Sequence, residues 1–111
     1  YSFQSRFEEG DGTNPEELIA AAHAGCFSMA LSAGLGQAGH NPDSVETEAT
    51  VQLDKVGDGF AITHILLRTR ARVPGIDADE FQQQAQAAKE GCPVSKALGG
   101  VDSIELQAEL L

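Results

Sequence analysis

The stretch TNPEELIAAAHAGCFSMALSAGLG, residues 13–36, decides the reading of this chain. Thr13 or Asn14 can cap a helix, Pro15 suits its first position, and Glu16 and Glu17 place acid in the first turn. Thr13-x-x-Glu16 has the spacing of a capping box. Beyond it, Leu18, Ala21, Ala22, Gly25, Met29 and Leu35 fall on or near one stripe, while Ile19, Phe27 and Leu31 lie elsewhere around the axis. A helix apolar on most sides is expected to be buried on most sides. Its Ala and Gly residues would let another backbone approach closely. The helix is expected to run to about Gly36, with Gly39-His40-Asn41-Pro42 closing the segment. His23, Ser28 and Ser32 interrupt the apolar run, which makes it too polar for a confident membrane span.

Strands are expected on both sides. Tyr1, Phe3, Ser5 and Phe7 alternate with polar residues and read as the tail of a strand, followed by the acidic turn Glu8-Glu9-Gly10-Asp11-Gly12. Residues 44–54 alternate cleanly, with Val45, Thr47, Ala49, Val51 and Leu53 on one face. Gly57-Asp58-Gly59 makes a turn, and Phe60 to Val73 returns as a second strand. An antiparallel hairpin would set Arg68, Arg70 and Arg72 opposite Glu46 and Glu48, a charged sheet face rather than a binding site. Pro74-Gly75 ends it. Asp77 caps a second helix to about Glu90, anchored by Ile76, Phe81, Ala85 and Ala88. Gly91 stops that helix, Cys92-Pro93 opens a short one through Leu98, and Val101 to Leu110 forms a last alternating strand. The order is β-α-β-β-α-α-β, in one domain over residues 1–111.

The 111 residues carry a net charge of −10, which argues against nucleic acid or an anionic membrane as partner, since both require a basic patch. A chain this short buries only a modest core unless it oligomerises. It begins at Tyr1 without an initiator Met, so a leader was removed or the chain is part of a longer protein. No basic segment followed by an apolar one opens it, so no signal peptide is expected, and the acidic balance fits a cytoplasmic protein.

Two cysteines are too few for a disulfide scaffold and match no zinc spacing. Cys26, inside the apolar helix, reads either as a small buried hydrophobe or as a reactive thiol. In the second case it needs a nearby cation, because burial alone raises a thiol pKa. Cys92, at a helix N-terminus, reads as a cap or as a thiolate favoured by the helix dipole, and local physics makes it the more acidic thiol. Together the two allow a structural disulfide or a transient redox one. His23, His40 and His64 are scattered and share no metal-ligand spacing. Glu16 has a plain role as a helix-start charge, and Arg6 one as a solvated strand residue.

Taken together, Asn14-Pro-Glu-Glu-Leu-Ile-Ala-Ala-Ala-His-Ala-Gly-Cys26-Phe-Ser-Met-Ala-Leu and Gly91-Cys92-Pro-Val-Ser95 resemble the OsmC/Ohr family of thiol peroxidases. Leu53-Asp-Lys-Val56, Gly59-Phe-Ala-Ile-Thr63 and Val73-Pro-Gly-Ile-Asp-Ala78 look like its OsmC (osmotically inducible protein C) branch. The Ohr branch more typically has Gln after the motif glutamate and Tyr where His23 stands. The resemblance spans essentially the whole chain. It implies an α/β (α+β) fold with a curved antiparallel sheet, a central buried helix and an intertwined homodimer. It also implies a few dozen residues before the segment equivalent to Tyr1, forming further strands.

The activity implied is reduction of organic hydroperoxides, and of hydrogen peroxide less well, without metal or cofactor, in oxidative or osmotic stress defence. Cys26 matches the peroxidatic cysteine and Cys92 the resolving one. Arg6 matches the arginine that stabilises the thiolate, and Glu16 the carboxylate that orients it. A dithiol, of dihydrolipoamide type, would recycle the disulfide. Phe27, Met29 and Leu31 beside Cys26 suit a peroxide with a hydrocarbon tail. A thiol redox sensor, or a module binding a small apolar ligand without turnover, are the alternatives. The site implied by the resemblance carries one geometric expectation. Glu16 and Cys26 are ten residues apart, about 15 Å along an unbroken helix. A Glu–Arg–thiolate cluster therefore requires a bent helix or a site completed by a second subunit.

Overall fold

Asn14 starts the central helix. Its backbone is extended, and its side-chain Oδ1 accepts the Glu17 N–H at 2.9 Å. The helix, α1, then runs without interruption over Pro15–Gln37. The capping box expected between Thr13 and Glu16 does not form. Thr13 Oγ1 donates instead to Glu17 at 2.9 Å, which leaves the Glu16 carboxylate available elsewhere.

A computed structural model of the chain describes Gln4, Arg6 and residues 12–111. The strand and turn expected over 1–11 lie outside the described residues, except at Gln4 and Arg6, which are helical rather than extended.

Two long strands follow, β1 (Ser44–Val56) and β2 (Gly59–Arg72), joined antiparallel by a tight turn at Gly57-Asp58. Gly57 has φ +60°, a conformation that costs little only without a Cβ. The register sets Glu46 opposite Arg70 and Glu48 opposite Arg68, as the alternation predicts. Their ion pairs, 3.2 and 3.4 Å long, are exposed to solvent, so each contributes little to stability.

Next come α2 (Ala78–Gly91), capped by Asp77 as expected, and the short α3 (Pro93–Ala97). The last strand, β3 (Ser103–Leu110), completes the sheet order β1-β2-β3. β3 runs parallel to β2, so the sheet is mixed rather than wholly antiparallel. The reason is the connection: a helical crossover between β2 and β3 carries the chain back to the starting end, as parallel pairing requires.

The core lies between α1, α2 and the sheet. It is built from Phe27, Leu31 and Leu35 of α1, Leu67 and Ala71 of β2, Val73, and Phe81, Ala85 and Ala88 of α2. Ser28 ties α1 to the sheet, its Oγ donating to Thr47 Oγ1 at 2.7 Å, and Thr47 in turn meets Thr69 at 3.0 Å.

The expectation that α1 is buried all round is corrected. Only the stripe Glu16-His23-Phe27-Leu31-Leu35 is buried, while Leu18 is 55% and Met29 76% exposed. By length and mean hydropathy α1 is apolar enough to cross a membrane, against the reading from its polar interruptions. Here its buried stripe packs into a core. The radius of gyration, 15.5 Å, exceeds the ~13 Å of a compact domain of this length.

Candidate active site

Cys26 lies on the flank of the buried stripe of α1 and is partly exposed. Cys92 is the hinge between α2 and α3, with φ −60° and ψ 124°, and is fully buried. The two sulfurs come from elements 66 residues apart and are hydrogen-bonded at 2.7 Å, both as free thiols.

Their environments divide the pair. Burial pushes the Cys92 thiol up. The influence of Cys26, of Ser95 and of the Val94 backbone outweighs burial and lowers its pKa. Cys26 moves the other way. Burial raises it, and so does its hydrogen bond with Cys92, against a smaller lowering by the Val94 backbone. The local reading of Cys92 as the more acidic thiol is therefore what this chain displays. The cation that a reactive Cys26 thiolate needs is not among the groups acting on it.

That cation has a partner on another turn. Arg6 Nε donates to Glu16 Oε1 at 2.9 Å and to Oε2 at 3.1 Å, and its Nη2 lies 2.5 Å from Oε1. Glu16 is thus an ion-pair carboxylate rather than a helix-start charge alone, with the geometry of a fork-to-carboxylate clamp. The pair opens onto a cleft of about 420 Å³ against Ala49, Thr50, Val51 and Leu53 of β1. Since α1 is unbroken, ten helical residues, about 15 Å, separate Glu16 from Cys26. The four expected residues therefore assemble as two pairs, Cys26 with Cys92 and Arg6 with Glu16, on different turns of one helix. α1 is not broken between them.

A second correction concerns the surroundings of Cys26. Phe27 and Leu31 point into the core and Met29 faces outward, so these side chains do not wall a dry pocket around the sulfur within one chain.

Two residues beside the thiols did not emerge from the sequence as functional. His23 is fully buried on α1, with Nε2 2.6 Å from Ser95 Oγ. Ser95 is in turn among the groups that lower the Cys92 pKa. The available signal was spacing: His23 precedes Cys26 by one helical turn, and Ser95 follows Cys92 by the same interval.

Burial lowers the His23 pKa, so the folded chain resists a proton that the unfolded chain accepts near pH 6.5. Stability therefore falls as pH drops below about 6.5, down to the lowered folded value. Thermal melts between pH 7.5 and 5.5 should show a smaller loss for His23→Gln than for the unmodified chain.

Comparison with known proteins identifies the family. The family model described as "OsmC-like protein" matches residues 8–107. The chain is 57% identical over 107 residues to "Peroxiredoxin OsmC" of Escherichia coli, covering 96% of this chain and 75% of that one. It is 38% identical over 92 residues to the "Organic hydroperoxide resistance protein" of Xanthomonas axonopodis, covering 82% and 63%. Among solved structures, OhrB of Bacillus subtilis superposes with a TM-score of 0.68 at 35% identity, over 92% of this chain and 73% of that one. With its family match over nearly the whole chain and both cysteines brought together, this chain belongs to the OsmC-like protein family.

Proposed function

We propose that this chain is a thiol peroxidase that reduces organic hydroperoxides, and hydrogen peroxide less well, in defence against oxidative stress. The observation that carries the reading is the meeting of two free thiols from elements distant in sequence, one reachable from solvent and one fully buried. The names of the related peroxiredoxin and hydroperoxide resistance proteins support it.

Access supports the following order of events. A peroxide reaches Cys26 but not the enclosed Cys92. The Cys26 thiolate attacks the distal peroxide oxygen, the O–O bond breaks, and the alkoxide leaves as the alcohol after taking a proton. Cys26 is then a sulfenic acid. The more acidic Cys92 attacks that sulfur, hydroxide leaves as water, and a Cys26–Cys92 disulfide forms. An external dithiol, of dihydrolipoamide type, restores both thiols by exchange. No metal or bound cofactor enters this sequence.

Arg6, oriented by Glu16, supplies the charge that holds Cys26 as a thiolate. Within one chain the clamp sits three turns from the sulfur, so the site is completed across a homodimer. The open outer face of α1, with Leu18 and Met29, and the extended shape of the chain support that assembly.

Sustained consumption of cumene hydroperoxide with excess dihydrolipoamide is the expected result for the purified protein. A single stoichiometric oxidation without turnover would instead make the thiol pair a redox switch. Reversible binding of the peroxide with both thiols unchanged would make it a ligand-binding module.

A further inference from the structure

His23 and Ser95 stand outside the four residues of the proposed mechanism, yet they join the two elements that carry its thiols. His23 precedes Cys26 by three residues on α1, and Ser95 follows Cys92 by three. Two contacts therefore bridge the same elements about one helical turn apart: Sγ to Sγ at 2.7 Å, and His23 Nε2 to Ser95 Oγ at 2.6 Å. We infer that His23 and Ser95 are positioning residues: their hydrogen bond clasps α3 to α1 and keeps the Cys92 sulfur within bonding reach of Cys26 in every redox state of the pair. The inference rests on the reading of Cys26 and Cys92 as thiols that close a disulfide.

The backbone of Cys92 is suspended between two helices. Its N–H donates to the Ala88 carbonyl of α2 at 3.0 Å, and its own carbonyl accepts the Lys96 N–H of α3 at 3.1 Å. α2 is fixed to α1 by apolar packing, with Phe81, Ala85 and Ala88 in one cluster with Phe27, Leu31 and Leu35. α3 has no such anchor. It contributes nothing to that cluster, and the extended backbone at Cys92 means that the direction of α2 is not simply continued into it. A helix of five residues does not hold itself together in water.

What α3 sends inward is a hydroxyl. Ser95 is its one buried residue, and the partner it meets, His23, is fully buried. Burying these polar groups is unfavourable unless they bond each other. Packing alone would be served as well by alanine at position 95. The bond is what the hydroxyl adds, and it ties the far side of Cys92 to the helix that carries Cys26.

The thiol contact cannot serve this purpose, because its atoms are the ones that change. Peroxide places an oxygen on the Cys26 sulfur. The Cys92 sulfur then attacks, the S–S bond forms as the S–O bond breaks, and hydroxide leaves with a proton as water. The clasp contains no atom altered in either step. It is available when Cys26 is a sulfenic acid, the state in which Cys92 must be near.

The test equilibrates the full chain with mixtures of reduced and oxidised glutathione at pH 7. The protein dithiol passes two electrons and two protons to oxidised glutathione, giving the protein disulfide and two molecules of reduced glutathione. Acid quenching and mass spectrometry read the ratio, and hence the effective molarity of the pair. Ser95→Ala and His23→Leu should each lower it roughly 10-fold, about what loss of one buried hydrogen bond amounts to. The double variant should lose no more than either single one, because both remove the same bond. Ser95→Thr, which keeps the hydroxyl, should stay near wild type. After one equivalent of cumene hydroperoxide, dimedone trapping in rapid-quench samples should show disulfide closure slowed by the same factor, with sulfenic acid formation at its wild-type rate.

If His23→Leu fails to fold, the Ser95→Ala and Ser95→Thr pair decides alone. A folded Ser95→Ala with the wild-type effective molarity overturns the inference, and so do single effects that add in the double variant. A wild-type chain that equilibrates with glutathione and shows these shifts, yet consumes no peroxide, removes the peroxidase and leaves the clasp. One that forms no disulfide with glutathione removes the clasp.

Discussion

Cys26→Ser should lower dihydrolipoamide-dependent consumption of cumene hydroperoxide to the uncatalysed background, a loss of at least about 1,000-fold. The hydroxyl of serine at that place has neither the nucleophilicity of a thiolate nor a neighbouring base to activate it. Cys92→Ser should behave differently. Its Cys26 remains reachable and still breaks one O–O bond, so a stoichiometric burst survives. No partner thiol then closes the disulfide, and excess peroxide carries Cys26 on to the sulfinic acid. Intact-mass measurement reads the difference directly: Cys92→Ser gains oxygen at Cys26, whereas Cys26→Ser gains none. The opposite pattern, with oxygen accumulating on Cys92, would reverse the order of attack. Local acidity alone favours that reversed order, since its surroundings lower the Cys92 pKa while burial and Cys92 raise that of Cys26. Burial opposes it, because Cys92 has no exposed surface.

The second large effect concerns the clamp. Arg6→Ala should cost turnover on the order of 100-fold, as for loss of a charge placed to stabilise a reacting anion. The more telling result comes from mixing. If the clamp of one subunit serves the thiol of its partner, unfolding and refolding Arg6→Ala together with Cys26→Ser creates dimers with one fully intact site. Half the dimers would be mixed and each would hold one working site, restoring about a quarter of wild-type activity. A site confined to one chain predicts no restoration at any ratio. Loss of activity in the separate variants and recovery in the mixture would place Arg6 and Cys26 on opposite sides of a subunit boundary.

Much of this was legible before any coordinates. Asp77 announced α2, Pro15 and the acidic first turn announced α1, and alternation in β1 and β2 gave the Glu46–Arg70 and Glu48–Arg68 register. These are local signals, in which side chains a few residues apart compete for the same backbone groups.

What failed was what depends on distant chain. The direction of β3 is set by the return path of the α2–α3 crossover, not by its own alternation. The buried stripe of α1 fell on Phe27 and Leu31 because the sheet and α2 approach that side, and a helix apolar on several sides does not announce which side will be met. The thiols were individually ambiguous for the same reason. Cys26 and Cys92 acquire their contrast largely from each other, and that meeting is visible in neither local segment. His23 looked idle because a ring with no second ligand nearby in sequence gives no sign of a hydroxyl waiting 72 residues away.

The parallel return of β3 has a consequence for how the molecule acquires its chemistry in time. The β1–β2 hairpin closes over a two-residue turn, among the fastest events available to a chain. Docking the α2–α3 arm and adding β3 beside β2 demand long-range closure, which is paid for in chain entropy before any contact rewards it. Cys92 rides on that late arm. Until it docks, Cys92 lacks the partners on α1, and the two thiols are ordinary, 66 positions apart in sequence. On the proposed mechanism, internal disulfide closure is thus a property of the finished fold. A kinetic trace of disulfide closure during refolding would serve as a clock for the last step of assembly.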